Sequence, residues 1–314
     1  MIITVTLTPA LDKTVTIPNF KTGTLNRIET VRLDAGGKGI NVSKFLRVLG
    51  VRSTAMGILG GGTGKWIEQQ LQIAGIAPDF VHVSQETRTN LKIIDPVQHC
   101  NTDINEPGEP ADPSVFEEII SRILDRGQEG DIVVFAGKAP PGAPEGLYGS
   151  MIRRLSGHGI RCYLDSDNAF LTEGAAAKPD LIKPNLLELH HLTGRKADTI
   201  PEIAQAALTL HLGGIRTVVV SLGAEGALFV RDTILYCPGV SVPVGSTVGA
   251  GDAMVAAFCY GESVGLPFEE TCRLSIAVSA AKVMQSGTQP PEKKDIDALF
   301  KEIVLRDLSS SLHT

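Results

Sequence analysis

The sequence contains few cysteines, and their spacing excludes a disulfide framework or a zinc site. The five cysteines among 314 residues are an odd, widely spaced set without a C-x-x-C pair. That pattern is typical of a reducing compartment, so we expect a cytoplasmic protein. No basic residue precedes Lys13, which argues against a secretory signal. The longest uncharged run, residues 233–251, contains Pro238, Pro243 and four glycines, which excludes a membrane-spanning helix there.

An excess of basic charge is also missing. The chain has 29 Lys and Arg against 35 Asp and Glu, a net charge of -6. It therefore has no overall basic field to engage phosphodiesters, and we predict neither a nucleic-acid nor a membrane partner. The composition, 43% hydrophobic with 20% charged residues, excludes a disordered chain. At roughly 100–200 residues per domain, the length allows one large α/β domain or two modest ones.

Segments with strand character alternate with segments of helical spacing. The strand candidates include residues 54–59, 132–136, 161–165 and 217–222, and the helix candidates include 39–49, 66–74, 115–126 and 200–212. This alternation predicts an α/β fold with a mostly parallel sheet covered on both faces. Residues 89–109 instead indicate a hairpin, which with strands near 14–17 and 27–33 predicts a small separate sheet. No repeat or linker divides the chain, so we predict a single domain over residues 1–314.

Motifs of several common active sites are absent. No G-x-G-x-x-G follows a strand, so a Rossmann dinucleotide site has no support, and G-x-S-x-G is missing. The run Gly60–Lys65 looks similar to a P-loop, but Leu59 stands where glycine is required and Trp66 where serine or threonine is required. We therefore interpret Gly60–Gly64 as a flexible loop near a site.

The glycines that are present cluster where helices are predicted to begin. Gly245 to Asp252 precedes a helix-compatible run. The backbone N–H groups of Gly249, Ala250 and Gly251 can bind an anion, because they are unpaired donors at a helix N-terminus. Beside them, Asp252 can accept a proton from a hydroxyl that attacks phosphorus. The alternative is a glycine turn with Asp252 as the N-cap.

A second glycine-rich segment, AGGKGIN at residues 35–41, also leads into a helix. Its small residues allow a ligand close to the backbone, while Lys38 and Asn41 add a cation and an amide. An ordinary strand-to-helix turn is the alternative.

A polar pair follows the strand predicted at residues 181–183. Asn185 and Glu188 are three residues apart and share one face of a first helical turn. Such a pair can hold hydrated Mg²⁺ or orient phosphate oxygens. The alternative is structural, with Pro184 at the first helical position and Glu188 as a partner of the helix dipole.

Together these segments resemble the PfkB (ribokinase-like) family of carbohydrate kinases, over nearly the whole chain. The most specific is STVGAGD at residues 246–252, which is similar to the family's C-terminal signature. The remaining segments follow the family's order: Thr6–Asp12, Gly36–Asn41, Thr87–Asn90, Thr102–Gly108, Lys183–Glu188 and Ser221–Gly226. The resemblance implies a three-layer α/β/α domain with a small β-sheet lid, from about residues 13–34 and 90–106, and a homodimer formed through that lid.

The resemblance also implies an ATP-dependent phosphotransferase with an alcohol group as acceptor. Asp252 would be the catalytic base, and the N–H groups of Gly249, Ala250 and Gly251 would stabilise the transferring phosphoryl group. The implied substrate-binding residues are Asp12, Arg27, Gly37, Lys38, Asn41 and Arg88. The implied ATP-binding residues are Lys183, Asn185, Ser221, Gly223, Glu225, Gly226 and Thr247, with Asn185 and Glu188 organising Mg²⁺.

The GGKGIN and TLTPALD segments resemble the branch that acts on sugar phosphates, the 1-phosphofructokinases and tagatose-6-phosphate kinases. A substrate that already carries a phosphate needs fixed cations away from the reacting hydroxyl, and Arg27, Lys38 and Arg88 can supply them. We therefore predict phosphorylation of a ketohexose phosphate, with fructose 1-phosphate giving fructose 1,6-bisphosphate as the first choice. Tagatose 6-phosphate as the substrate, or a non-catalytic sugar-phosphate sensor, are the alternatives.

Two segments depart from the family pattern. Lys138 lies in AGKAP at residues 136–140, where S-G-S-x-P is expected, and DSDN at 165–168 stands where D-x-S-G is expected. Lys138 either adds a cation to the substrate-phosphate site or is a surface residue. Both departures leave the identity of the sugar open.

Overall fold

A computed structural model describes residues 1–312 of the chain. Its strands are β1 (Ile2–Thr6), β2 (Ala10–Thr16), β3 (Thr30–Gly36), β4 (Thr54–Gly60), β5 (Ala77–Val83), β6 (Thr89–Asp95), β7 (Cys100–Asn105), β8 (Ile132–Ala136), β9 (Arg161–Asp165), β10 (Leu181–Ile182), β11 (Thr217–Ser221), β12 (Ala227–Val230), β13 (Ile234–Cys237) and β14 (Arg306–Asp307). Its α-helices are α1 (Lys38–Val48), α2 (Gly61–Ile73), α3 (Pro113–Arg126), α4 (Leu147–Ser156), α5 (Asn168–Ala175), α6 (Leu186–Thr193), α7 (Ile200–Leu212), α8 (Ala250–Val264), α9 (Phe268–Val283) and α10 (Lys293–Glu302). None of the helices in the described range is both long and apolar enough to cross a bilayer.

Ten strands form the central sheet, in the order β14-β13-β12-β11-β10-β9-β8-β1-β4-β5. The strands from β11 to β5 run parallel, and β12, β13 and β14 continue the sheet antiparallel at one edge. Apolar side chains of α3, α4 and α7 pack on one face, and those of α1, α8 and α9 pack on the other. Because both faces are covered, every residue of β1 and β8 is buried. The predicted α/β fold with a mostly parallel sheet is confirmed.

A smaller sheet of four strands, in the order β3-β2-β6-β7, lies over one end of the central sheet. Strands β6 and β7 pair antiparallel as a hairpin, and β2 starts at Ala10, earlier than the sequence indicated. Alternate side chains of a strand point to opposite faces. One face therefore carries polar residues such as Asp12, Asp34 and Asn90, which line a cleft. The opposite face carries apolar residues, among them Leu33 and Ile104.

The prediction of a flexible loop at Gly60–Gly64 is wrong. Helix α2 begins at Gly61, directly after β4. The Glu86 carboxylate accepts hydrogen bonds from the backbone N–H groups of Gly62 (3.2 Å) and Thr63 (2.6 Å). This carboxylate caps the first turn, so the glycine-rich segment is helical and its N-terminus already holds an anion from its own chain.

Candidate active site

The candidate site is a cleft of about 510 Å³ between the smaller sheet and the carboxyl end of the central parallel strands. Ligand sites of open parallel sheets lie at this end, where the connecting segments bring side chains from several strands together. Six basic and six acidic side chains line the cleft. The cleft is therefore balanced in charge within a chain whose net charge is -6.

Asp252 lies in the first turn of α8 and is only 5% exposed. The amide nitrogen Nδ2 of Asn41, on α1, donates a hydrogen bond to its Oδ2 atom at 2.8 Å. Burial, together with repulsion from Asp165, raises the pKa of Asp252 to about 6. The carboxylate is thus ionised at neutral pH, yet it is more basic than an ordinary aspartate, as a general base requires.

Asp165, at the end of β9, holds two lysines beside Asp252. Its Oδ1 atom lies 3.2 Å from Nζ of Lys38 and 3.4 Å from Nζ of Lys183. Burial alone would raise the pKa of Asp165, but Lys183 and Lys38 outweigh burial and lower it. The Asp165 carboxylate in turn raises the pKa of Lys38 above its usual value. The Oδ2 atom of Asp165 is buried and accepts no hydrogen bond within residues 1–312.

The turn before α8 provides backbone N–H groups next to Asp252. Gly249 caps the helix in the left-handed conformation, with φ of 85°, which favours glycine. The N–H of Ala250 donates to the carbonyl oxygen of Thr247 at 3.2 Å, so the prediction that all three N–H groups are unpaired is wrong for Ala250. The N–H groups of Gly249 and Gly251 have no backbone acceptor in the described part of the chain. These two are the donors left for an anion.

Asp12 lies on the smaller sheet, on its cleft side. Nδ2 of Asn90 donates to Oδ1 of Asp12 at 2.9 Å, and burial raises the pKa of Asp12 despite this hydrogen bond. A Cβ atom on Gly36 would lie 2.1 Å from Oδ2 of Asp12, so a larger residue at this position would displace the Asp12 carboxylate. The first glycine of the GGKGIN segment thus makes room for Asp12, while Gly37 lines the cleft.

A second cavity, of about 410 Å³, continues the cleft away from Asp252. It shares Lys38 and Arg88 with the cleft and adds Lys138. The Arg88 guanidinium donates to the carbonyl oxygens of Thr8 and Glu106, which fixes its direction. Lys138 is 63% exposed and lies 3.4 Å from the carboxylate of Asp167. Three cationic side chains therefore converge on this cavity.

Arg27 does not join these cations. It lies in the exposed connection between β2 and β3 and lines neither the cleft nor the second cavity. The prediction that Arg27 contacts substrate is therefore not met within one chain, because residues 17–29, which connect β2 and β3, line neither the cleft nor the second cavity. Lys138 is the third cation instead, which gives a physical reason for a lysine in the AGKAP segment.

A third cavity, of about 570 Å³, meets the cleft at Ser221 and Gly251. Of the predicted ATP-binding residues, Gly223, Gly226 and Thr247 line this third cavity. The remaining wall is largely apolar and includes Val240, Val242, Val244, Met254, Ile276, Ala280 and Val283. Glu225 does not line it, because the side chain is exposed on the 3₁₀ turn between β11 and β12. Such a cavity suits a flat base against the apolar wall and phosphates at the polar end.

Asn185 and Glu188 form a capping box at the start of α6 and also line the cleft. Oδ1 of Asn185 accepts from the Glu188 N–H at 2.9 Å, and Oε2 of Glu188 accepts from the Asn185 N–H at 2.8 Å. Residues 1–312 contain no group of three His, Cys, Asp or Glu side chains arranged for a metal. A single carboxylate with an amide fits Mg²⁺ that keeps waters and phosphate oxygens as its other ligands.

Comparison with known proteins gives concordant results for sequence and fold. Residues 6–295 match the model of the pfkB family of carbohydrate kinases. A 1-phosphofructokinase of Rhodobacter capsulatus is 35% identical, over 98% of both chains. The 1-phosphofructokinase of Escherichia coli K12 is 36% identical over 96% of this chain and 97% of its own. The solved phosphofructokinase-2 of Escherichia coli, in complex with substrates and products, is 29% identical, covers 96% of this chain and 98% of its own, and has a TM-score of 0.91.

Proposed function

The chain belongs to the pfkB family of carbohydrate kinases, and on that premise we propose that it transfers the γ-phosphoryl group of ATP to fructose 1-phosphate, giving fructose 1,6-bisphosphate. The observation that carries the proposal is the cavity lined by Lys38, Arg88 and Lys138, which continues the cleft that contains the buried Asp252. Lys38 and Lys138 are paired with Asp165 and Asp167, and a substrate phosphate would be a further partner for these two lysines and for Arg88. A sugar phosphate fills the cleft, with its phosphate among the cations and its free hydroxyl at Asp252.

The chemical step is an in-line transfer assisted by Asp252. The sugar hydroxyl oxygen attacks the γ-phosphorus, its proton passes to the Asp252 carboxylate, and ADP leaves with the electrons of the broken P–O bond. Asn41 keeps the carboxylate in place through its hydrogen bond. A raised pKa supports this role, because the carboxylate is ionised before the reaction and holds the proton more strongly than an ordinary aspartate.

Negative charge that develops on the phosphoryl group is stabilised by fixed donors. The N–H groups of Gly249 and Gly251 lie at the positive end of α8, and Lys183 packs directly against Gly251. The structure around these groups is already in position, so little reorganisation is required during the reaction. Asp12 and Asn90, hydrogen-bonded to each other, bind sugar hydroxyls from the opposite wall.

ATP occupies the third cavity, with its base against the apolar wall and its phosphates towards Gly251. Glu188 and Asn185 would hold Mg²⁺, since Oε1 of Glu188 accepts no hydrogen bond within the described chain. The metal ion would neutralise charge on the ATP phosphates when it is bound. A non-catalytic sensor is disfavoured, because a sensor has no need of a buried base beside N–H groups that bind phosphate.

The smaller sheet acts as a lid over the substrate in a single-domain enzyme and also forms the dimer interface. Its outer face exposes Val31 (55%), Leu33 (42%) and Ile104 (53%), an apolar surface that a second copy of the chain would cover. Light scattering should report a dimer. Leu33→Asp combined with Ile104→Asp should give a monomer, whereas Val304→Asp, at an exposed position outside this sheet, should not.

The substrate is tested by a coupled ADP-release assay that compares kcat/KM for several acceptors. Fructose 1-phosphate should give the highest value, ahead of tagatose 6-phosphate and fructose 6-phosphate. A higher value for tagatose 6-phosphate would keep the mechanism and change the substrate. If ribose or adenosine exceeded all three sugar phosphates, the proposal would be refuted.

A further inference from the structure

Lys282 is a buried charge that the mechanism above does not use. It lies near the end of α9, its side chain is 0% exposed, and it forms no ion pair within the described residues. A buried ammonium without a carboxylate partner is costly, and a polar or apolar side chain of similar length would normally replace it. Charged groups that are buried at such a cost are often found at functional sites.

The ammonium of Lys282 contacts the turn that carries the phosphate-binding N–H groups. Its Nζ atom donates a hydrogen bond to the carbonyl oxygen of Ser246 at 3.2 Å. The next residue of α9, Val283, accepts hydrogen bonds from the N–H groups of Gly245 (2.8 Å) and Ser246 (3.0 Å) through its carbonyl oxygen. The end of α9 therefore fixes both the N–H and the carbonyl of Ser246, at the start of the turn.

The side chain of Lys282 also reaches the left-handed glycine at the end of that turn. A Cβ atom added to Gly249 would lie 3.5 Å from Cε of Lys282. Lys282 is therefore buried against both ends of the Ser246–Gly249 turn. From there its charge acts on the phosphate-binding groups through a short stretch of protein, where screening by water is weak.

We propose that Lys282 is a positioning residue for phosphoryl transfer: its ammonium holds the Ser246–Gly249 turn so that the N–H groups of Gly249 and Gly251 face the phosphoryl group, and it adds a fixed positive charge behind them. The inference rests on the proposed kinase function and names a residue that the family resemblance and the motifs do not assign. It requires a cation at this position, and not only a side chain that fills space.

The charged groups that face Lys282 come from three elements. Asp252 of α8 attracts the ammonium, whereas Lys92 of β6 and Arg32 of β3 repel it. Burial, reinforced by these two cations, lowers the pKa of Lys282 to about 8 against the pull of Asp252. The cation is therefore present at neutral pH and is lost as the pH rises above about 8, which gives the proposal a measurable consequence.

The test replaces Lys282 by methionine, which keeps the length of the side chain and removes the charge. Loss of one direct donor to a developing oxyanion lowers kcat by about 10²–10³-fold. Because Lys282 acts through the turn, we expect Lys282→Met to lower kcat by about 10–100-fold. KM for fructose 1-phosphate should change little, because residues 246–249 of the turn do not line the substrate-phosphate cavity. The exposed Lys301, on the neighbouring α10, provides the matched control as Lys301→Met, with unchanged kcat.

Two further readouts separate this role from a structural one. The wild-type kcat should fall above about pH 8, and Lys282→Met should lack that decline. The lowered pKa also means that the unfolded chain holds the proton more strongly, so wild-type stability should rise between about pH 8 and the ordinary value of 10.5. Lys282→Met should be at least as stable as wild type at neutral pH, because it removes an unpaired buried charge.

The proposal is overturned if Lys282→Met keeps wild-type kcat, or if its kcat still falls above about pH 8 as in wild type. If the methionine variant does not fold, Lys282→Arg serves instead, because the guanidinium keeps its proton above pH 8. A decline of kcat above about pH 8 that persists in Lys282→Arg would refute the inference. A wild type that phosphorylates none of the sugar phosphates would refute the proposed function. An active wild type matched by its methionine variant would refute only the role of Lys282.

Discussion

Replacement of Asp252 by asparagine removes the proposed base with almost no change in shape. The amide oxygen of the substituted side chain can still accept the hydrogen bond that Asn41 donates to Oδ2 of Asp252 at 2.8 Å in the wild type. Positioned general bases contribute about 10²–10⁴ to a rate, and the Asp252→Asn variant should lose kcat within or beyond that range. ATP binding should be retained, since the third cavity does not include Asp252.

The pKa of Asp252 sets the expected pH dependence of the wild type. With a pKa of about 6, the carboxylate is about nine-tenths ionised at pH 7 and about one-tenth ionised at pH 5. The kcat/KM for fructose 1-phosphate should therefore rise about tenfold from pH 5 to its plateau, with a midpoint near 6. The asparagine variant should have no such acid limb.

Stability provides the control for this substitution. The folded pKa of Asp252 lies above the ordinary value of 3.8, so the folded chain binds the proton more strongly and wild-type stability falls as the pH rises from about 4 to about 6. Asp252→Asn removes this loss and should melt no lower than wild type at neutral pH. Initial rates from coupled ADP release, with melting curves on the same samples, measure both effects. A folded asparagine variant with kcat within tenfold of wild type would refute the role of Asp252 as base.

Other substitutions test the remaining parts of the site. Lys38→Met should raise KM for fructose 1-phosphate more than KM for ATP, and equal effects on both KM values would contradict its place at the substrate. The same variant should move the acid limb of the pH profile to higher pH, because Lys38 lowers the pKa of Asp252. Lys138→Met should raise KM for fructose 1-phosphate by about 5–50-fold, a loss of roughly 1–2 kcal/mol of charge-assisted binding. The control is Lys196→Met, which should leave KM unchanged because Lys196 is exposed and paired with Asp198 outside the cavities. Glu188→Gln should keep the helix cap but raise the Mg²⁺ concentration that gives half-maximal rate, and an unaltered Mg²⁺ dependence would remove Glu188 from the metal site.

Local sequence signals predicted the parts of the molecule that depend on neighbouring residues. The alternation of strands and helices predicted the parallel sheet, and the STVGAGD segment predicted a glycine turn that enters a helix at Asp252. The shared face of Asn185 and Glu188 was predicted from their spacing, but Asn185 is the N-cap of α6, so the alternative that has Pro184 at the first helical position is wrong. In each case the conformation is determined by residues that lie within one or two helical turns along the chain.

Contacts between distant residues could not be read from the sequence. Asp165 is paired with Lys38 across 127 positions, and neither its location at the carboxyl end of a buried strand nor the DSDN segment indicated that pairing. Arg27 lies outside the cleft, and Lys138 lines the adjoining cavity instead. This outcome depends on the path of an exposed loop. The cap of α2 depends on Glu86, a carboxylate 23 positions away from Thr63.

Strand β5 was missed for a related reason. It contains Pro78 and charged or polar residues, a composition that favours a loop. The structure has it at the edge of the central sheet, where β4 is its one partner among residues 1–312 and where proline is tolerated. Edge position is a property of the assembled sheet, and the local sequence does not specify it.

We propose above all that this chain moves a phosphoryl group from ATP to a sugar that already carries a phosphate. Phosphorus NMR on a mixture of the protein, ATP, Mg²⁺ and fructose 1-phosphate follows that transfer directly. We expect ADP and fructose 1,6-bisphosphate to appear in equal amounts, with no accumulation of inorganic phosphate. Release of inorganic phosphate without a bisphosphate, or no change in the ATP signals, would contradict it.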